Sequence, residues 1–204
     1  MKLHWSPRSP YVRKVMIAAH ELGLAERIAC VRSVAALPTP NPAIMADNPL
    51  SKIPTLVLDN GDVLLDSRTI VEYLDSLAGP GILVPLEGRA RWQALSRQAL
   101  ADGLLDLFIL WRNERSKPAE RQTQEWLDAF ATKATATLDR FEQQAPQQPA
   151  DALDIGEIAL GSALSYADFR FAEIEWRKGR PRLAGWHAGF AERPSARATE
   201  AVND

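Results

Sequence analysis

Asn48-Pro49-Leu50-Ser51-Lys52-Ile53-Pro54-Thr55-Leu56-Val57-Leu58 closes a loop and enters a strand across an Ile-Pro bond, and Asp66-Ser67 opens a helix soon afterwards. Proline cannot donate to a sheet ladder, so one standing directly before a strand that reads as buried needs a reason. A cis peptide supplies one, since Xaa-Pro bonds tolerate that form at roughly 0.5–1 kcal/mol. It would turn the N–H and C=O of Ile53 outward, where an extended peptide could pair with them. Ser6-Pro7-Arg8-Ser9-Pro10-Tyr11, near the start of the chain, is the expected second half of such a site.

Outward from this stretch, strands and helices alternate. Downstream, residues 55–58 and 63–65 read as two strands joined by Asp59-Asn60-Gly61-Asp62, whose Asn-Gly is a strong hairpin signal. Ser67, a good N-cap, then begins a helix with Ile70, Val71, Leu74 and Leu77 facing inward. Upstream, residues 3–5 form a short first strand, and Ser9-Pro10 opens a helix. In it Val12, Val15, Met16 and Ala19 fall at i, i+3, i+4 and i+7. Gly23 ends that helix, residues 28–31 are a second strand, and 38–49 form a proline-punctuated connection. The order is βαβ, a connection, then ββα.

Past Ala78-Gly79-Pro80-Gly81 the strand pattern stops, and residues 82–86 behave as a linker. Residues 89–115 read as one long helix, stopped before Lys117-Pro118. A second helix spans 119–144, with Trp126, Phe130, Ala134, Leu138 and Phe141 on one stripe, and a Pro/Gln loop follows at 145–150. Asp154-Ile155-Gly156-Glu157 makes a capping box, with Leu153 and Ile158 as its hydrophobic staple, and starts a buried helix running to about 171. Trp186, Phe190 and Pro194 belong to short terminal helices. The architecture is a small α/β domain followed by an all-helical one, divided near residue 80.

Composition narrows the function. The 204 residues are 46% hydrophobic and 25% charged, ordinary for a globular chain able to bury a core. A net charge of −2 and a pI near 6.0 give no general attraction to nucleic acid or anionic membrane. No apolar run approaches the roughly 20 residues that span a bilayer, and the N-terminus has no signal-peptide pattern, so a cytoplasmic protein is expected. Cys30 cannot form an internal disulfide, and three scattered histidines offer no zinc spacing, so no metal is expected.

Three segments coincide in order and spacing: Ser9-Pro10-Tyr11-Val12-Arg13-Lys14-Val15, Asn48 to Leu56, and Asp66-Ser67-Arg68-Thr69-Ile70-Val71-Glu72-Tyr73-Leu74. Together they resemble the thioredoxin-like half of cytosolic glutathione transferases, and Asp154-x-x-Glu157-Ile158-Ala159-Leu160 with Tyr166-x-Asp168-Phe169-Arg170 resembles the central helix of bacterial members. The resemblance implies an α/β thioredoxin-like N-terminal domain (βαβ-α-ββα, residues 1–78), a linker (79–87) and an all-α C-terminal helical domain (88–204). It also implies a homodimer. Pro54 would be the family's cis proline, with Ile53 offering backbone bonds to the cysteinyl part of glutathione and Lys52 beside it. Asp66-Ser67 would hold the γ-glutamyl end, which suits a helix N-terminus and a nearby anion. The plainer reading is that this pair only caps its helix.

The implied chemistry needs the thiol of glutathione as a thiolate, although a free thiol of pKa near 8.5 is only a few per cent ionised at neutral pH. A lowering of about two units takes roughly 2.7 kcal/mol. A hydroxyl donating to sulfur beside a helix N-terminus is a suitable source. Ser9 is favoured, because Pro10 suits the first helical position; Ser6 is the rival, and each also reads as a plain structural serine. Tyr11 lines or packs the site. Cys30 reads as a small buried residue of the second strand, which disfavours disulfide exchange through an enzyme cysteine.

By the same resemblance, a hydrophobic electrophile would lie between the halves. Phe108, Trp111, Arg112 and Arg115 would stand on one side, with Trp5 and Pro7 opposite. Phe108 and Trp111 read equally well as interdomain core. Arg8, Arg13 and Lys14 would raise the positive potential near an anionic ligand but read first as solvated helix positions, the basic run 177–182 as a solvated loop, and His4, His20 and His187 as structural. A non-catalytic binder of this fold and a glutathione-dependent isomerase or dehalogenase are the alternative readings.

Overall fold

The structure is a computed structural model that describes residues 1–145 and 152–203, so most of the expected Pro/Gln loop lies outside the described residues. Four strands form one mixed sheet, β1 (Lys2–Trp5), β2 (Ala29–Arg32), β3 (Thr55–Val57) and β4 (Val63–Leu65), in the order β2-β1-β3-β4. β1 and β2 are parallel and joined by α1 (Pro10–Glu21), while β3 runs antiparallel to β1 and β4. Leu3 pairs with Leu56, and both are sealed in one cluster with Val12, Val15, Ile70, Val71 and Leu74. These apolar positions come from α1 and α3 (Ser67–Ala78), whose buried faces close over the sheet. Gly23 ends α1 at φ +69°, and Leu24 N–H reaches back to the Ala19 carbonyl at 2.8 Å, a left-handed turn that glycine makes without a Cβ clash. A single short helix, α2 (Pro42–Met45), interrupts the long connection to β3.

The rest of the described chain is helical: α4 (Gly88–Arg115), α5 (Gln124–Gln144), α6 (Ile155–Arg170), α7 (Pro181–Ala191) and α8 (Pro194–Arg197). α6 is buried along most of its length and packs against α4, α1 and α7. The expected capping box is present: Asp154 Oδ1 accepts from Glu157 N–H at 2.9 Å, and Glu157 Oε2 accepts from Asp154 N–H at 3.0 Å. Two glycines let the neighbours approach. A Cβ at Gly156 would meet the Ala94 carbonyl at 2.6 Å, and one at Gly161 would overlap the Phe190 ring. The 79–87 connection is pinned by buried Asp75, which accepts from Leu83 N–H at 2.7 Å and Gly81 N–H at 2.9 Å. No helix among the described residues is long and apolar enough to cross a membrane.

Several expectations are corrected. Asp66, not Ser67, is the N-cap of α3; its Oδ1 accepts from Arg68 N–H at 2.8 Å, which leaves Ser67 as the first helical residue. Leu77 is exposed, because Asp75 takes the inward place to bind the connection. α5 starts only at Gln124, after one tight turn at Ala119–Arg121, since Glu114 Oε1 accepts from Thr123 N–H at 2.9 Å and fixes where the chain turns. Trp126 lies at 57% exposure, outside the stripe that buries Phe130, Ala134, Leu138 and Phe141. Cys30 is exposed, because β2 is the outer strand of its sheet. Arg13 and Lys14 are buried rather than solvated. The basic run is engaged: Arg177 pairs with Asp168, Arg180 with Asp139, and Arg182 donates to the Ala145 carbonyl.

Candidate functional site

The N-terminus of α1 forms one end of a cleft of about 950 Å³. Ser9 is the N-cap, with extended backbone, and its Oγ accepts from Val12 N–H at 3.3 Å. Among the described residues its O–H proton has no acceptor, so the hydroxyl can cap the helix and still donate. Ser6 also lines the cleft but is buried, with its Oγ accepting from Arg8 N–H at 3.3 Å. Tyr11, Lys52, Ile53 and Arg112 line the same space.

The Ile53–Pro54 peptide is cis. Antiparallel pairing of Thr55 with Leu65 carries the residues before β3 alongside those after β4, which sets Ile53-Pro54 next to Asp66-Ser67. No hydrogen bond to the Ile53 amide is made by the described residues. Asp66 is exposed, and Ser67 is buried at the mouth of α3. Pro54, Asp66 and Ser67 border the sheet edge without lining the cleft itself.

Behind this edge lies an ion-pair network that local pattern did not reveal. Asp102 on α4 accepts from Lys14 Nζ at 2.7 Å and from Arg68 Nε at 2.8 Å. Lys14 is fully buried; burial pulls its pKa down while Asp102 pushes it up. The Arg68 guanidinium is held above its ordinary pKa, chiefly by its bond to Asp102. Tyr11 donates its hydroxyl to the Asp106 carboxylate, and burial followed by that carboxylate raises its pKa. Its proton is committed to α4.

The helical wall of the cleft differs from the expected second-substrate wall. Phe108 is fully buried and packs on Phe171 at 4.8 Å, so it belongs to the core. Trp111 packs on the same ring at 5.1 Å and, like Trp5 and Pro7, does not line the cleft. Arg115 stacks on Phe171 and pairs with Glu173. Of the residues expected on this wall Arg112 lines the cleft, beside Asp106, Ile109, Leu110 and Asn113 from α4 and Tyr166 and Arg170 from α6. The opposite wall includes residues 34–38, which follow β2 and lead into the proline-punctuated connection.

Two Ser-His-Asp groupings are structural rather than catalytic. Ser33, His4 and Asp47 are joined at 2.8 and 2.7 Å, but Ser33 and His4 are buried away from the cleft. Ser165, His187 and Asp168 also cluster. There Arg177, which can only donate, contacts His187 Nδ1 at 3.2 Å. The proton therefore sits on Nε2 and points to Ser165 Oγ at 3.0 Å, the wrong tautomer to activate that serine. Burial pushes the His187 pKa down to about 4. Among the described residues no group of His, Cys, Asp and Glu could hold a metal ion.

Comparison with known proteins fits this geometry. Residues 8–77 match the glutathione S-transferase N-terminal domain, and residues 124–189 match its C-terminal domain. A glutathione transferase family member from Pseudomonas fluorescens Pf-5, solved with bound glutathione, is 40% identical; it superposes with a TM-score of 0.93, covering 99% of each chain. The chain belongs to the glutathione S-transferase family. A second structure from that organism, with bound S-(propanoic acid)-glutathione, is also 40% identical, with a TM-score of 0.88 over 100% of each chain. An uncharacterised glutathione-transferase-like protein of Escherichia coli K12, YibF, is 29% identical over 203 residues, 98% of each sequence. The transferase fold explains why the cis-proline edge and the mouth of α3 stand side by side.

Proposed function

We propose that the protein is a glutathione transferase, joining the glutathione thiolate to an electrophilic carbon of a second substrate. The observation that carries this reading is Ser9: its oxygen is occupied by the helix, its proton is uncommitted, and it faces the cleft. A hydrogen bond to a charged partner contributes about 1.5–3 kcal/mol, of the order needed to lower the thiol pKa by two units. The Ile53 backbone would hold the cysteinyl part of glutathione, Asp66 and Ser67 the γ-glutamyl end, and Lys52 a carboxylate. Pro54 shapes that edge. Glutathione bound to the Pseudomonas relatives supports the ligand.

Turnover of a dinitrophenyl halide and glutathione binding by calorimetry test the assignment on the native chain, Ser9→Ala and Ser6→Ala. Loss of about tenfold or more in kcat/KM with Ser9→Ala, binding retained, is expected. An unchanged rate in both variants defeats the activation mechanism, and binding without turnover across many electrophiles leaves a carrier. A homodimer belongs to the same proposal, supported by the exposure of Trp92, Leu86 and Leu65 around the start of α4 and the end of β4. Light scattering of native protein and Trp92→Glu should give a dimer and a monomer, respectively.

A further inference from the structure

The protein carries a net charge of −2, yet its cleft is lined by five cationic side chains and one carboxylate, that of Asp106. Asp106 is already engaged by the Tyr11 hydroxyl. Arg8 and Arg32 have interactions of their own, and Lys52 stands on the α/β wall. Arg112 and Arg170 stand on the helical wall, across from the proposed glutathione groups. Neither has a carboxylate partner among the described residues. Arg170 lies over the Phe169 ring at 3.9 Å, and its Nε is buried with no acceptor. Arg112 donates to the Tyr166 hydroxyl at 3.0 Å. Tyr166 is 2% exposed, and its own O–H proton likewise finds no acceptor among the described residues. The charges that act on Arg170 include three further arginines, 8, 112 and 115, which lower its pKa after burial has done so. Such donors are costly to bury unpaired. What they lack is an acceptor-only, negatively charged group.

We propose that Arg112, Arg170 and Tyr166 form a receptor for a carboxylate on the second substrate, so that the preferred electrophile is anionic rather than purely apolar. This rests on the transferase reading above. The carboxylate would anchor the molecule on α4 and α6 while its reactive carbon faces the thiolate at Ser9. With an aryl chloride, a sulfur–carbon bond forms, the carbon–chlorine bond breaks, and chloride leaves with the electron pair; no oxidant or reductant enters.

The test uses the free carboxylate, primary amide and methyl ester of one chloro-nitrobenzene, with each enzymatic kcat/KM divided by its uncatalysed rate. The carboxylate should be favoured over the amide by about tenfold or more. Arg170→Met and Arg112→Met should each erase most of that preference, chiefly through KM. The carboxylate rate should fall by more than the amide rate, and Arg112→Lys should restore part of the preference. A native enzyme that turns over the amide as well as the carboxylate overturns the proposal, as do variants that slow both substrates alike. Calorimetry with the unreactive nitrobenzoate and nitrobenzamide on glutathione-loaded protein reads the receptor without chemistry. Tighter benzoate binding that the arginine variants lose supports the receptor even if no conjugate forms, in which case the transferase reading alone fails. Equal binding of the two overturns the receptor.

Discussion

At the residue scale, His187 shows how burial decides what an ionisable side chain can do. It sits at 4% exposure against Trp176, with Asp168, Arg177 and Arg13 acting on its charge. Its pKa of about 4 lies below the usual 6.5, so between those values the unfolded chain takes up a proton that the folded chain refuses. Stability should therefore fall as pH drops from about 6.5 towards 4, by up to about 3 kcal/mol. Urea titrations across that range should show this slope in the native chain and a flatter one in His187→Gln. Equal slopes would mean that His187 titrates normally. Sequence marks His187 as structural, but its tautomer depends on Arg177 and Ser165, contacts that no local pattern encodes. Ser9 is more legible, because a serine before a proline at a helix start is a signal contained in adjacent residues.

Among the elements, α6 is the one whose neighbours leave least room. Gly161 faces Phe190, which itself stacks on Trp186 at 5.5 Å. Gly161→Ala would force that pair off its packing and should destabilise by about 1–3 kcal/mol, more than any gain in helix propensity. A lower midpoint in chemical denaturation checks this, and an unchanged midpoint would show that Phe190 can swing aside. The capping box of α6 is readable because it lies within four residues, Asp154 to Glu157. Trp126 defeats the pattern because a helical stripe gives a face and not its length; the buried positions of α5 begin only at Phe130. Arg170 is harder still, since which side of α6 opens on the cleft is set by its packing on α4; Arg112 is within reach only through the family resemblance.

For the whole molecule, the buried Lys14–Asp102 pair joins α1 to α4 across 88 positions of sequence, too far for any motif to announce. Both side chains are almost fully buried, at 0% and 2% exposure. Asp102→Asn should cost about 3–5 kcal/mol, because it strands a buried ammonium. The double change Lys14→Met with Asp102→Leu should recover most of that loss, since the half-exposed Arg68 can turn to water. Thermal unfolding of the two variants decides between a pair that stabilises and one that merely cannot be halved.

That shared anion also sets how portable the parts of this protein are. Separating the halves would open the Lys14–Asp102 contact to water and break the ion pair, leaving each charge without its partner. Recombination between relatives should therefore yield folded hybrids only when the lysine and the aspartate travel together, so the exchangeable unit is the whole chain.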